Sequence, residues 1–344
     1  MKIKYHQGIA IMVLFSLANT VLEIANKGRH AYQGLIIAYL ISFLLASIYT
    51  KILQKYSDTS FFKILTNSKF KLISKMIILI IMLILVVEIN FVINNYLNFV
   101  TGVDLVSVKK NLLFFLIIIL LSYFTKQTVK TFARTSVVLF IIIIIFLSLL
   151  GISSINLFSI NNILPIIPVY VEDLMKNINY FLYRPFIESF FLLSFFLNLE
   201  KGKDKIFYKS HLITFIIFFI LIIMCLGILG ENFITSLKYP LFTSIGIIEV
   251  LDFLSRLESI SVVIFLSTML IKLYVYWYLF KDGLKKLFNK DAISHFLFVI
   301  ILLVAMFMLN YVKINPDSTF YGTIIIGITV VVPTVLCFRK EGIK

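Results

Sequence analysis

Cysteine is nearly absent from this 344-residue chain: Cys225 and Cys337 stand alone, both inside long apolar runs, so no disulfide framework is implied. The four histidines, His6, His30, His211 and His295, are scattered without the spacing of metal ligands, and neither a metal nor a cofactor is expected. Charge is also scarce. Only 14% of residues are charged against 60% hydrophobic, and the mean hydropathy of +1.03 excludes a soluble domain. The sequence has no phosphate-binding loop, no nucleophile–base pairing and no paired catalytic carboxylates, so it does not read as an enzyme. The longest stretches between apolar runs, about 51–73 and 153–173, are too short for a soluble catalytic domain. Function must therefore reside in a membrane bundle or its loops.

A span needs about 20 mostly apolar residues. Ten such segments are expected, at 8–25, 31–50, 74–98, 111–125, 134–152, 174–199, 211–230, 257–280, 293–312 and 319–338. Met1–Lys4 followed by an apolar run imitates a signal peptide, but Asn19 and Glu23 interrupt the run and no small-residue cleavage site follows. It is taken as the first span. The net charge of +15 resembles that of a nucleic-acid binder, yet its placement indicates a lipid bilayer instead. Lysines crowd the termini and alternate loops, while the other side carries only Lys27, Arg29, Lys109, Lys110, Lys176, Arg184, Lys238 and Lys313. That asymmetry is the positive-inside rule and predicts cytoplasmic N and C termini. No nucleic-acid partner is needed to explain the charge.

The most informative stretch is 170–199, YVEDLMKNINYFLYRPFIESFFLLSFFLNL. Its first half is polar, its second apolar, and Arg184 and Pro185 stand between them. Proline removes a backbone donor and clashes with the preceding turn, so a helix kinks or breaks there. Arg184 and Glu188 are four apart and share a face if the helix continues. Either this is a discontinuous helix around a polar site, or a kinked helix whose Arg184 snorkels to the interface. In span one, Ser16, Ala18, Asn19 and Thr20 form either a locally unwound patch facing a ligand or small polar glue between helices. Glu23 reads as solvated at the outer end. Glu88, Asn94 and Asn95 interrupt span three, and an acid within an apolar run is a functional candidate by default. Glu249, Asp252 and Arg256, spaced by three and four within 240–256, predict either a short outer helix capping the bundle mouth or an ordinary surface helix. Glu258 and Ser261 then enter span eight. Lys272 is expected to snorkel past Tyr274–Trp277 to the aromatic belt, and the basic loop 51–73 reads as an ordinary lysine-rich inner loop in preference to one with an interfacial helix through Phe61, Phe62 and Leu65.

Five spans precede residue 153 and five follow, so the second half is inverted relative to the first. Spans one and six then run in opposite directions with polar interruptions, as in inverted-repeat transporters with broken helices.

Three stretches carry a family likeness: TVKTFARTSVVLF at 128–140, RPFIESFFLLSFFLNLEK at 184–201 and YPLFTSIGIIEVLDFLSRLESISVVIFLSTMLIKLYVYWY at 239–278. Within them stand an Ala-Arg-Thr step at 133–135, a Pro-Phe-x-Glu step at 185–188 and an Arg-Leu-Glu step at 256–258. On these, the chain resembles the spore germination permeases, the B subunits of nutrient germinant receptors. Leu17, Ala18 and Asn19 replace a glycine that the family often has in span one, and Ile187 replaces another before Glu188, which makes the backbone less permissive. The resemblance implies an all-α membrane fold of ten helices, LeuT-like, within the amino acid–polyamine–organocation superfamily. It also implies A-type and C-type receptor subunits as partners and residence in the spore inner membrane.

The expectation is one transmembrane domain, residues 1–152 and 153–344 being five-helix repeats and helices one and six broken. A small nutrient, an amino acid, would bind at Ser16, Ala18, Asn19, Thr20, Glu88, Tyr183, Arg184, Glu188, Glu258 and Ser261, under a lid of Glu249, Asp252 and Arg256. Two other readings stay open: an ion-coupled amino acid transporter, and a receptor scaffold with a vestigial pocket.

Overall fold

The computed structural model describes residues 2–24, 30–56, 60–66, 71–103, 108–124, 126–163, 171–248, 257–288 and 327–338, with Leu303 and Ile325. Secondary structure among them is helical apart from one bridge between Ile3 and Leu199. The helices are α1 (Tyr5–Glu23), α2 (Ala31–Lys55), α3 (Phe61–Thr66), α4 (Lys71–Val103), α5 (Lys110–Phe124), α6 (Val129–Ser153), α7 (Val171–Phe181), α8 (Leu193–Phe196), α9 (Ile206–Leu229), α10 (Glu231–Ser236), α11 (Pro240–Ile247), α12 (Leu257–Phe288) and α13 (Val332–Phe338). Five are long and apolar enough to cross a membrane, at Ala31–Lys55, Leu72–Val103, Val129–Ser153, Ile206–Leu229 and Leu257–Leu287, and shorter apolar helices cover Tyr5–Ala18, Lys110–Phe124 and Gly327–Leu336. Large apolar side chains such as Leu44, Leu72, Leu83, Ile119 and Ile152 are exposed along them. In water such a surface would be a liability; in lipid it is the solvent-facing side. The chain is an integral membrane protein.

Local chemistry sets the helix ends. Thr128 caps α6 by accepting from the Thr131 amide at 3.3 Å, Pro240 opens α11, and Gly230, at φ 73°, ends α9 with its amide donating to the Leu226 carbonyl. Gly34 lets α2 press on α7, because a Cβ there would meet both the side chain and backbone of Asn177. At the core, α1 lies against α12, α6 and α9 and touches the irregular segment between α7 and α8.

Three expectations change. Helix one was expected to break near Asn19, but α1 runs unbroken from Tyr5 to Glu23. Leucine and alanine at positions 17 and 18 are strong helix formers, and no proline or glycine opposes them. The loop 51–73 is not merely lysine-rich: α3 forms within it and buries Phe61, Phe62, Ile64 and Leu65. Finally, α12 is much longer than the expected 257–280, reaching Phe288, which moves Lys272 to its middle. The expected ninth span apart from Leu303, the first part of the tenth and the lid residues Glu249, Asp252 and Arg256 lie outside the described residues.

The interruption in span six takes a definite form. After α7 the backbone widens into a π-helical segment over Leu182–Ile187, containing Pro185, then tightens into a 3-10 segment over Glu188–Leu192 before α8. A proline cannot donate to the ladder, and a one-turn π insertion absorbs that defect without ending the helix. Its C-terminal end is pinned by the N-terminal segment: the Ile3 amide donates to the Asn198 carbonyl at 3.1 Å, and the Glu200 amide donates to the Ile3 carbonyl at 3.0 Å.

Candidate functional site: a buried charge network at the break between α7 and α8

The π segment projects Tyr183 and Arg184 toward α4 and sets Glu188 one turn on, where α12 passes. The Tyr183 hydroxyl donates to Glu88 Oε1 at 2.7 Å, and Arg184 Nη1 donates to Glu88 Oε2 at 3.1 Å. The same Nη1 donates to Glu188 Oε1 at 2.9 Å, and Lys272 Nζ donates to Glu188 Oε2 at 2.5 Å. All four charges are buried: relative exposure is 2% for Arg184 and 0% for Glu88, Glu188 and Lys272. Two cations therefore face two anions inside the bundle, and each carboxylate is held through both oxygens. Such ions persist in a low-dielectric interior only when paired and hydrogen-bonded.

Aromatic faces complete the surroundings. The Arg184 guanidinium lies 4.1 Å from the Phe91 ring centroid and 5.0 Å from that of Tyr183. The Lys272 ammonium lies 5.0 Å from the Phe15 centroid and 5.8 Å from that of Tyr276. These contacts favour a cation at each position. From α1, the Ser16 hydroxyl donates to the Pro185 carbonyl at 3.3 Å, so the first helix meets the break directly. Thr20, one turn on and on the same face, is fully buried, and its hydroxyl has no hydrogen-bond partner among the described residues. The Tyr276 hydroxyl beside the network is likewise buried and without a partner. Of these two hydroxyls, that of Tyr276 lies on the ring facing Lys272, where a buried donor without a partner is available to a polar ligand.

An apolar cavity of about 20 Å³ adjoins this region, lined among others by Leu17, Val21, Phe146, Leu221, Phe265 and Thr268. Thr268 is one helical turn from Lys272 on α12, and Leu17 follows Ser16 on α1. That volume holds roughly one water, so a larger occupant would require side chains to move.

Of the expected site residues, the structure brings Ser16, Glu88, Tyr183, Arg184 and Glu188 together. Ala18 is buried in α1. Asn19 lies in α1, but its side chain is outside the description. Glu258 and Ser261 belong elsewhere: the Ser261 hydroxyl donates to the Glu258 carbonyl, and the half-buried Glu258 side chain packs over Gly246. The eleven residues from Ser261 to Lys272 correspond to about 16 Å of helix, which separates that pair from the network.

Lys272, Phe15, Phe91 and Tyr276 are the residues that sequence reasoning missed. Lys272 does not snorkel. The next lysine toward the C-terminal end of α12, Lys281, is nine residues and about 13 Å farther along the helix. An ionisable residue so deep in a span was the available signal, and the aromatic cluster after it pointed the wrong way.

A family model for spore germination proteins matches residues 2–318. The chain belongs to the spore germination permease family. No curated protein matches it. Membership agrees with the resemblance carried by the Pro-Phe-x-Glu step, whose proline forms the π segment and whose glutamate joins the network. A germination-related integral membrane protein is thereby established.

Proposed function

We propose that this chain is the nutrient-binding membrane subunit of a spore germination receptor, and that an amino acid binds beside the Glu88–Arg184–Glu188–Lys272 network. The observation that carries this reading is the pairing of charges at a helix break, with the buried, unpartnered Tyr276 hydroxyl next to them. An ammonium and a carboxylate are what such a site complements. Ser16, Glu88, Arg184 and Lys272 come from the first, third, sixth and eighth expected spans, and their meeting at one point supports a ten-helix LeuT-like arrangement of two inverted five-helix repeats, 1–152 and 153–344. In this reading the termini are cytoplasmic, the membrane is the spore inner membrane, and ligand binding biases a conformation that A-type and C-type subunits sense. The lid of Glu249, Asp252 and Arg256 belongs to the same proposal.

One observation favours a second reading. Among the described residues the four charges pair with one another without a ligand, as they would in a receptor scaffold whose pocket is vestigial. The dose response of germination separates the two. Asn19→Ala, Thr20→Val and Glu188→Gln are made singly, and at least one is expected to raise the nutrient concentration required by about tenfold, or about 1.4 kcal/mol, at normal protein abundance. Three wild-type responses would leave the scaffold reading. Uptake into proteoliposomes would show an ion-coupled transporter instead.

The topology has its own test. Single cysteines at Ser57, Asp204 and Asn289 are expected to react only from the cytoplasmic side, and those at Val103 and Asp317 with external reagent. Finding Asp204 and Asp317 on one side sinks the ten-span arrangement.

A further inference from the structure

The surroundings of Lys272 Nζ are those expected of an ammonium-binding site. The Glu188 carboxylate lies at 2.5 Å, and the Phe15 and Tyr276 rings lie at 5.0 and 5.8 Å. Carboxylate plus aromatic faces is a general recognition set for an ammonium ion. Here it is occupied by the chain's own side chain, which is fully buried. Lysine is a point charge on a flexible four-carbon stem, so its ammonium can move while its backbone stays fixed.

Charge balance limits what can replace it. Among the described residues, Glu88 and Glu188 are matched by Arg184 and Lys272. A simple amine entering this balanced site adds an unmatched buried cation, which a low-dielectric interior strongly disfavours. A zwitterion adds no net charge. Its ammonium takes Lys272's place on Glu188, and the displaced Lys272 pairs with its carboxylate. The unpartnered Tyr276 hydroxyl beside the network provides a further hydrogen-bonding group.

We propose that Lys272 is a resident counter-ion that an amino acid displaces from Glu188, and that it makes the site select amino acids over the corresponding amines. The inference rests on the nutrient-binding reading above and adds its specificity determinant. The nearly wholly apolar cavity beside Leu17 and Thr268 points to an aliphatic side chain.

The test uses the purified full-length chain and matched probes: L-alanine with ethylamine, L-valine with isobutylamine, and L-leucine with isoamylamine. Wild type and Lys272→Arg are expected to prefer the amino acid of at least one pair by about tenfold or more. Lys272→Met leaves the network one positive charge short, so its preference is expected to reverse toward the amine. If Lys272→Met does not accumulate, isobutylamine in the growth medium is expected to restore it, and failure to do so counts against the proposal. An unchanged preference in Lys272→Met, binding of neither probe by that variant alone, or no preference in wild type overturns the role of Lys272 while leaving ligand binding intact. Binding of no probe by any of the three proteins removes both this role and the reading beneath it.

Discussion

Arg184→Met is expected to deplete the protein from the membrane fraction. Arg184 is the group that links the two carboxylates, donating to Glu88 at 3.1 Å and to Glu188 at 2.9 Å from one nitrogen. Methionine fills similar volume but leaves two buried anions facing one lysine. Removing one partner from a buried pair costs about 3–5 kcal/mol, a large share of the stability of most domains. Abundance by immunoblot and thermal unfolding in detergent measure the loss. Adding Glu88→Gln to Arg184→Met removes the surplus charge, so the double variant is expected to recover part of that stability. Strictly additive losses would mean that the two residues do not interact.

The second large effect separates two substitutions at one position. Glu188→Ala removes the only acidic partner of Lys272 among the described salt bridges and one of two for Arg184, so loss of the protein is again expected, at about 3–5 kcal/mol. Glu188→Gln keeps the size of the side chain and an oxygen that accepts from either cation. Arg184 retains Glu88, and the Lys272 ammonium retains its aromatic neighbours. Reduced but measurable abundance with a weakened nutrient response is therefore expected for glutamine, and absence for alanine. Wild-type abundance of Glu188→Ala would contradict the burial and pairing described above.

These contrasts follow from features that were unequally visible in the sequence. The membrane class, the helical fold and the polar break in span six were legible because hydrophobic runs and a proline next to an arginine act locally. The Arg184–Glu188 pair was legible for the same reason, since four residues is one helical turn. Glu88 was recognisable as an intramembrane acid, although its partners were not, because they lie some 95 residues away in sequence. Lys272 was misread for want of the true length of α12, which a 20-residue template for a span cannot supply. The expected break in α1 failed for the opposite reason: asparagine and small polar residues permit an unwound turn without requiring one. The form of the break in span six, a π segment followed by a 3-10 segment, depends on how α1 and α12 pack on it, with the Ser16 hydroxyl meeting the Pro185 carbonyl.

Equilibrium binding to the purified full-length chain tests the central claim most directly. Each proteinogenic L-amino acid is titrated against wild type and Glu188→Gln in detergent or nanodiscs, with Glu188→Gln first shown to be folded. The account predicts saturable binding of at least one amino acid, one per chain, weakened about tenfold or more by the substitution. Saturable binding that Glu188→Gln leaves unchanged, or none by any amino acid, would contradict it.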